Sequence, residues 1–148
     1  SLLPYNKGAY PNVWSIIDET PAGVTLHFVN EGVDTGDVIA QKEIKVLPTD
    51  TGQSLYKRLE VASTELFVET WPQILTRTFR RQKQTQQGTF HRVTDVTKID
   101  RLLPDQVMRV GELIDLLRAR TFPPYKGAYL DFGDRRVYLR LELTDEKN

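Results

Sequence analysis

The long amphipathic segment at residues 53–70 constrains the fold of this chain more than any other feature. Its leucine and alanine residues recur at spacings of four, three and four positions, which puts them on one face of an α-helix. These residues are Leu55, Leu59, Ala62 and Leu66. Asp50 and Thr51 are N-cap candidates. Trp71-Pro72 is expected to interrupt the helix, with room for a further turn or two through Phe79.

Two segments before this helix have the pattern of β-strands. Residues 23–29 alternate between two faces and are rich in β-branched side chains, and residues 38–47 have a similar composition. An acidic loop with two glycines, residues 30–37, separates them. The short connection predicts an antiparallel hairpin.

The second half of the chain predicts another helix and a terminal hairpin. The helix covers residues 110–120, with one apolar face made of Val110, Leu113, Ile114 and Leu117. The hairpin covers residues 129–143 and turns at Gly133-Asp134. Residues 80–89 are polar and predict an exposed connector, followed by a short edge strand at 90–93.

Composition excludes several classes of chemistry. The 148 residues include no cysteine, so disulfides, thiolate nucleophiles and cysteine zinc sites are ruled out. Twenty basic residues balance twenty acidic ones, so no overall positive field favours nucleic acid or a membrane surface. No apolar run approaches the roughly 18–20 residues of a transmembrane helix, and we expect a cytoplasmic protein.

Few side chains can carry chemistry, and His27 with Asp34 is the leading pair. A partly buried acid at the end of a strand can accept or orient a proton. The alternative is that Asp34 caps a turn while His27 packs on the sheet. Glu31, Asp34 and Asp37 could hold a cation, but they lack the spacing of an EF-hand loop.

The remaining polar candidates have simpler explanations. Lys7 and Lys126 each precede Gly-Ala-Tyr and could bind a phosphate, although two similar turns with solvated lysines are favoured. We expect His91 to lie on the surface. The basic run Arg77, Arg80, Arg81 and Lys83 is expected to be a solvated face and not an RNA site.

Residues 1–45 resemble the signature of the folate-dependent formyltransferase family. That signature contains Ser-Leu-Leu-Pro, then Gly, Pro and Trp, then Thr-Gly-Val-Thr-Ile-His and Asp-Thr-Gly. Matching positions here are Ser1, Leu2, Leu3, Pro4, Gly8, Pro11, Trp14, Gly23, Thr25, His27, Gly32, Asp34 and Gly36. Residues 110–130 further resemble the C-terminal region of the sugar N-formyltransferase branch.

The resemblance implies an α/β fold in two parts. Residues 1–79 would form the C-terminal part of a Rossmann-like catalytic domain, and residues 80–148 a connector, helix and β-hairpin. The implied reaction moves a formyl group from 10-formyltetrahydrofolate to the amino group of a dTDP-type amino deoxysugar, for O-antigen or cell-surface glycan biosynthesis. The resemblance also implies a homodimer, with the terminal hairpin as a candidate dimerisation edge. We expect no nucleic acid, membrane or metal as a partner.

The resemblance also assigns roles to individual residues. Asp34 would be the catalytic acid, and His27 would support it from the preceding strand. Lys7 would contact the pyrophosphate, and Tyr125 the nucleotide base. The residues expected to line the pterin pocket are Asn30, Glu31, Val33 and Asp34.

This sequence departs from the family pattern at its start. The family's catalytic Asn and first His lie just before the position of Ser1, so this chain alone is expected not to turn over. The alternatives are a methionyl-tRNA formyltransferase and a truncated, non-catalytic binding or assembly domain. Glycinamide ribonucleotide formyltransferase is disfavoured by the presence of residues 90–148.

Overall fold

The computed structural model describes residues 1–146, which form four helices and seven short strands. In chain order they are β1 (Lys7–Gly8), α1 (Pro11–Ile17), β2 (Gly23–His27), β3 (Val38–Glu43), α2 (Gly52–Thr76), β4 (Phe90–His91), α3 (Asp95–Ile99), β5 (Arg101–Leu102), α4 (Val110–Ala119), β6 (Tyr129–Phe132) and β7 (Arg135–Tyr138). Within that part of the chain, every helix is too short or too polar to cross a lipid bilayer.

The predicted hairpin and long helix form the main core. β2 and β3 pair antiparallel from Gly23 opposite Glu43, with an irregularity between Leu26 and His27 next to the acidic loop. The predicted apolar face of α2 is buried against this hairpin and α1, and Leu55 is fully buried. The core members are Val13, Trp14, Ile16, Ala22, Val24, Leu55, Leu59, Ala62, Leu66, Val96 and Ala119.

Helix α2 begins as predicted, but it is continuous where an interruption was expected. Thr51 is the N-cap and exchanges two hydrogen bonds with Ser54, which forms a capping box. The prediction that Trp71-Pro72 interrupts the helix is wrong, because α2 continues through Pro72 to Thr76. Pro72 and Val68 are both exposed, so water can solvate the Val68 carbonyl that Pro72 cannot bond.

The terminal hairpin is confirmed and packs on α4 around a second, smaller core. β6 and β7 pair antiparallel, and β5 adds a parallel strand that the sequence did not predict, as it did not predict α3. The predicted face of α4 is partly wrong, since Val110 is 74% exposed and Leu116 is buried instead. The buried members of this core are Leu102, Leu116 and Ala128.

Residues 81–91, here called the strap, are mostly exposed, as predicted for a connector, but they also pair with two distant segments. The backbone groups of Gln82 and Val38 exchange two hydrogen bonds at 2.7 and 2.9 Å. At the other end of the strap, the predicted edge strand β4 pairs parallel with β1. The strap therefore runs back across the acidic loop and the N-terminal segment, although most of its side chains are exposed.

Candidate functional site

Asp34 is held by a backbone donor from a distant part of the chain. It lies in the loop after β2, with φ of 53° in the left-handed region, which few non-glycine residues adopt. Its Oδ2 accepts a hydrogen bond of 2.8 Å from the N–H of Gly8. The side chain is 30% exposed, so the carboxylate is oriented yet open to a ligand.

His27 faces Asp34, as the sequence predicted for the leading pair. Its Nε2 lies 3.6 Å from Asp34 Oδ1, and its Nδ1 lies 2.9 Å from the Phe28 carbonyl oxygen. Because a carbonyl only accepts, Nδ1 carries the proton of a neutral ring.

The acidic loop is organised by its own side chains and glycines. Asn30 Oδ1 accepts hydrogen bonds from Gly32 N–H at 3.2 Å and Thr35 Oγ1 at 2.7 Å. A Cβ atom at Gly36 would lie 1.6 Å from the Phe28 carbonyl oxygen, so only glycine fits there. The remaining predicted loop residues, Asn30, Glu31 and Val33, are exposed.

Gln84 contacts this loop, and sequence reasoning missed it. Its Nε2 donates to the carbonyl oxygens of Asp34 at 3.0 Å and of Gly36 at 2.7 Å. Four glutamines lie within residues 82–87, and no sequence signal distinguishes this one. Its importance comes from a contact between segments about fifty positions apart.

The predicted phosphate and base contacts lie in different places. Lys7 is half-buried on β1, directly before the glycine that binds Asp34. Tyr125 is 68% exposed and packs on Phe122, with ring centroids 5.7 Å apart. Among the contacts of residues 1–146, none joins Tyr125 to the acidic loop.

The expectation that His91 lies on the surface is wrong. Its side chain is only 16% exposed and stacks on Trp14, with ring centroids 4.0 Å apart and planes 7° from parallel. Its Nε2 lies 3.5 Å from Asp18 Oδ2. The pairing of β4 with β1 carries this ring onto α1, a long-range effect with no local sequence signal.

The Asp37 carboxylate forms an ion pair with Arg81. Arg81 Nε donates to Asp37 Oδ2 at 2.6 Å, and the guanidinium also lies over the Phe28 ring. Arg81 is therefore not only part of a solvated basic face. In the described part of the chain, no group of three or more His, Cys, Asp or Glu side chains is arranged to hold a metal ion.

Comparison with known protein families finds two matches in the chain. Residues 1–71 match the formyl transferase family model. Residues 95–145 match a second model, the N-formyltransferase dimerization C-terminal domain. This second match and the relatives described next confirm the resemblance to the sugar N-formyltransferase branch.

Two of these relatives align over nearly the whole chain. The dTDP-4-amino-4,6-dideoxyglucose formyltransferase of Mycobacterium bovis is 32% identical over 97% of this chain and 62% of its own length. The crystal structure of a 4-N formyltransferase from Francisella tularensis matches with TM-score 0.94 and 35% identity, over 98% of this chain and 60% of that one. This match confirms the predicted α/β fold, and the chain spans less than two thirds of either relative.

Other relatives inform the choice of substrates. The formyltransferase PseJ from Anoxybacillus kamchatkensis was solved with UDP-4,6-dideoxy-4-formamido-L-AltNAc and tetrahydrofolate. It is 41% identical over 66% of this chain and 52% of its own length, with TM-score 0.64. The methionyl-tRNA formyltransferase of Geobacter metallireducens is 33% identical over 94% of this chain but only 44% of its own length.

Proposed function

We propose that the protein containing this chain transfers a formyl group from 10-formyltetrahydrofolate to the amino group of a dTDP-linked amino deoxysugar. The observation that carries the proposal is the Asp34 carboxylate, fixed by Gly8 and facing His27 within the segment that matches the formyl transferase family model. The dTDP-amino sugar named for the Mycobacterium bovis relative supports the acceptor. Tetrahydrofolate in the PseJ complex supports the donor.

Asp34 would act as the proton acceptor of this reaction. When the amine nitrogen attacks the formyl carbon, it acquires positive charge while the formyl oxygen becomes negative. A carboxylate beside the nitrogen stabilises the ammonium and removes its proton, directly or through water. Collapse of the tetrahedral intermediate forms the amide and breaks the bond to the folate N10, which takes up a proton.

His27 would support Asp34 and not react itself. Its ring is fixed by the Phe28 carbonyl, and at 3.6 Å it is close enough to influence the carboxylate. The negative charge on the formyl oxygen needs donors of its own. The family's Asn and first His would supply them from the segment that precedes Ser1 in the family signature.

The acidic loop would hold the pterin ring of the donor. Its exposed Val33 offers an apolar contact for a flat ring, while Asn30 and the glycines fix the loop backbone. Glu31 lies on the same open edge. For the nucleotide sugar, we retain Lys7 as the pyrophosphate contact and Tyr125 as a base contact.

We also propose that the protein is a homodimer assembled through its C-terminal part. Residues 80–148 would form this part as a unit, and residues 95–145 match a dimerization domain model. β7 is an edge strand of its sheet, and the hairpin exposes Phe132, Val137 and Tyr138. Sedimentation analysis of the natural protein and of its Val137→Lys variant tests this proposal. We expect the variant to be monomeric. A variant that remains dimeric would contradict an interface at the hairpin.

A tRNA acceptor is the second candidate, since methionyl-tRNA formyltransferases are also relatives. We favour the sugar because this chain covers 62% of the Mycobacterium bovis sugar formyltransferase but only 44% of the Geobacter metallireducens methionyl-tRNA formyltransferase. Its equal numbers of basic and acidic residues also give no excess positive charge for binding tRNA. A non-catalytic binding or assembly role would leave folate binding without turnover. A place in O-antigen or cell-surface glycan synthesis within the cytoplasm follows from the proposed sugar.

Incubation of the complete natural protein with 10-formyltetrahydrofolate and dTDP-4-amino-4,6-dideoxyglucose tests the proposal. Mass spectrometry is expected to find the sugar heavier by one formyl group in place of one hydrogen. Formylation of methionyl-tRNA alone would support the second candidate, and formylation of neither would contradict both. The isolated 148-residue chain is expected to be inactive, and turnover at a normal rate would contradict that expectation.

A further inference from the structure

We propose that Gln84 is a positioning residue that holds the acidic loop in its reactive conformation and thereby aims Asp34. The inference rests on the proposed function for its kinetic consequence, but its structural consequence can be measured without any activity. Gln84 lies on the strap, outside the formyltransferase signature and outside the loop it contacts.

Gln84 binds the loop backbone at Asp34 and at the second residue after it. Its amide nitrogen donates one hydrogen bond to the carbonyl of Asp34 and another to that of Gly36. An amide NH₂ group has two protons, so both bonds can form at once. One of the two bonds is accepted by Asp34 itself, whose φ of 53° is unfavourable for residues other than glycine.

The other end of the same side chain makes this arrangement costly. Gln84 Oε1 is buried and has no hydrogen-bond partner among the described residues. Burying an unpaired acceptor opposes folding, so this glutamine is a poor choice for stability alone. Its orientation fits a residue retained for the two bonds of its nitrogen.

Gln84 lies between two other contacts that anchor the strap. Arg81 pairs with Asp37 at one end of the strap, and Thr89 accepts the Lys7 N–H at 2.9 Å at the other. The strap thus holds the loop that carries Asp34 and the segment that carries Gly8, the donor to Asp34. Gln84 is its only side chain whose described hydrogen bonds reach the Asp34 backbone.

Gln84→Ala in the complete natural protein tests the proposal, with Gln87→Ala as the control. Gln87 is exposed on the same strap. For Gln84→Ala we expect kcat to fall about tenfold or more, while KM for the nucleotide sugar stays within about twofold. We expect amide hydrogen exchange at Gly8 to accelerate by about tenfold at an unchanged melting temperature, and Gln87→Ala to match the wild type in every measurement.

A second variant separates positioning from simple loss of packing. Gln84→Glu keeps the length of the side chain but replaces its two donors with acceptors that face carbonyl oxygens. We expect it to accelerate Gly8 exchange at least as much as Gln84→Ala. Recovery of wild-type exchange and kcat by Gln84→Glu would overturn the proposal.

The two proposals can fail separately. If the wild type does not formylate the sugar but Gly8 exchange responds as expected, the proposed function fails and the positioning role stands. If the wild type is active and Gln84→Ala changes neither kcat nor Gly8 exchange, the positioning role is wrong. A lowered melting temperature with kcat per folded molecule unchanged would also overturn it.

Discussion

The Oδ2 atom of Asp34 accepts a 2.8 Å hydrogen bond from the backbone N–H of Gly8, across 26 positions of sequence. Gly8 is itself paired with His91 on β4, and the next N–H, from Ala9, donates to the His91 carbonyl. The carboxylate is therefore oriented by a strand pair that neither segment could form alone. This relationship makes the candidate site sensitive to changes well away from Asp34.

Gly8→Ala is expected to destabilise the protein by more than about 1 kcal/mol. Gly8 has φ of 86°, and an added Cβ atom would lie 2.5 Å from the His91 carbonyl oxygen. Gly111→Ala is the control, because nothing lies within 4 Å of its Cβ position on α4, and it should be neutral or stabilise by about 0.5–1 kcal/mol. Urea unfolding measures both, and equal effects would contradict the strain at Gly8.

Leu55→Ala is expected to cost about 2–5 kcal/mol of unfolding free energy, because Leu55 is fully buried beneath the β2–β3 hairpin. Val61→Ala on the same helix is the control, since Val61 is 60% exposed and its change should stay within about 0.5 kcal/mol. Denaturant midpoints measure the difference. Similar losses for the two variants would mean that the assigned buried face of α2 is wrong.

Arg120→Ala is expected to destabilise the protein by about 3–5 kcal/mol, because it leaves Asp100 buried without its partner. Arg120 forms a bidentate pair with Asp100, with bonds of 2.5 and 2.9 Å, and both side chains are largely buried. Arg136→Ala removes a similar but exposed pair with Asp131 and should leave the unfolding midpoint nearly unchanged. A comparable loss in both variants would be inconsistent with this assignment.

Lowering the pH is expected to reduce the stability of α3, because protonation of Asp95 removes its ion pair with Lys98. The Lys98 ammonium, followed by the Arg92 backbone N–H, lowers the pKa of this carboxyl. The stabilisation is present above the ordinary aspartate pKa of about 3.9 and is lost as pH falls through the lowered value of the folded state. Melting temperature against pH should fall less steeply below about pH 4 in Asp95→Asn, and an unchanged slope would contradict the ion pair.

Local patterns were sufficient to predict the parts of the fold that depend on near neighbours. The face of α2 that contains Leu55 and Leu66 is a short-range periodicity, and the capping pair Thr51 and Ser54 lies within one turn. The β2–β3 hairpin needs only a short loop. The continuity of α2 through Pro72 was missed because the exposed surroundings of Pro72 remove much of the usual cost of proline in a helix.

The candidate site was predictable only in part, since Asp34 and His27 belong to one short segment while their supports do not. Gly8, Gln84 and His91 reach the site through pairings between segments that are far apart in sequence, 26 positions for Gly8 with Asp34 and 50 for Gln84 with Asp34. β1 and β4 have two residues each, too few for any alternation to be recognised. The burial of His91 follows from that pairing and from its stack on Trp14.

The most direct test of the account is the kcat of Asp34→Asn in the complete natural protein, with 10-formyltetrahydrofolate and the dTDP-amino sugar. Asparagine can still accept the Gly8 hydrogen bond, so the melting temperature should stay close to that of the wild type. Without the carboxylate, however, the amine loses its proton acceptor. We predict that kcat falls by about 100-fold or more. A folded Asp34→Asn protein with kcat within about tenfold of the wild type would contradict the central role of Asp34.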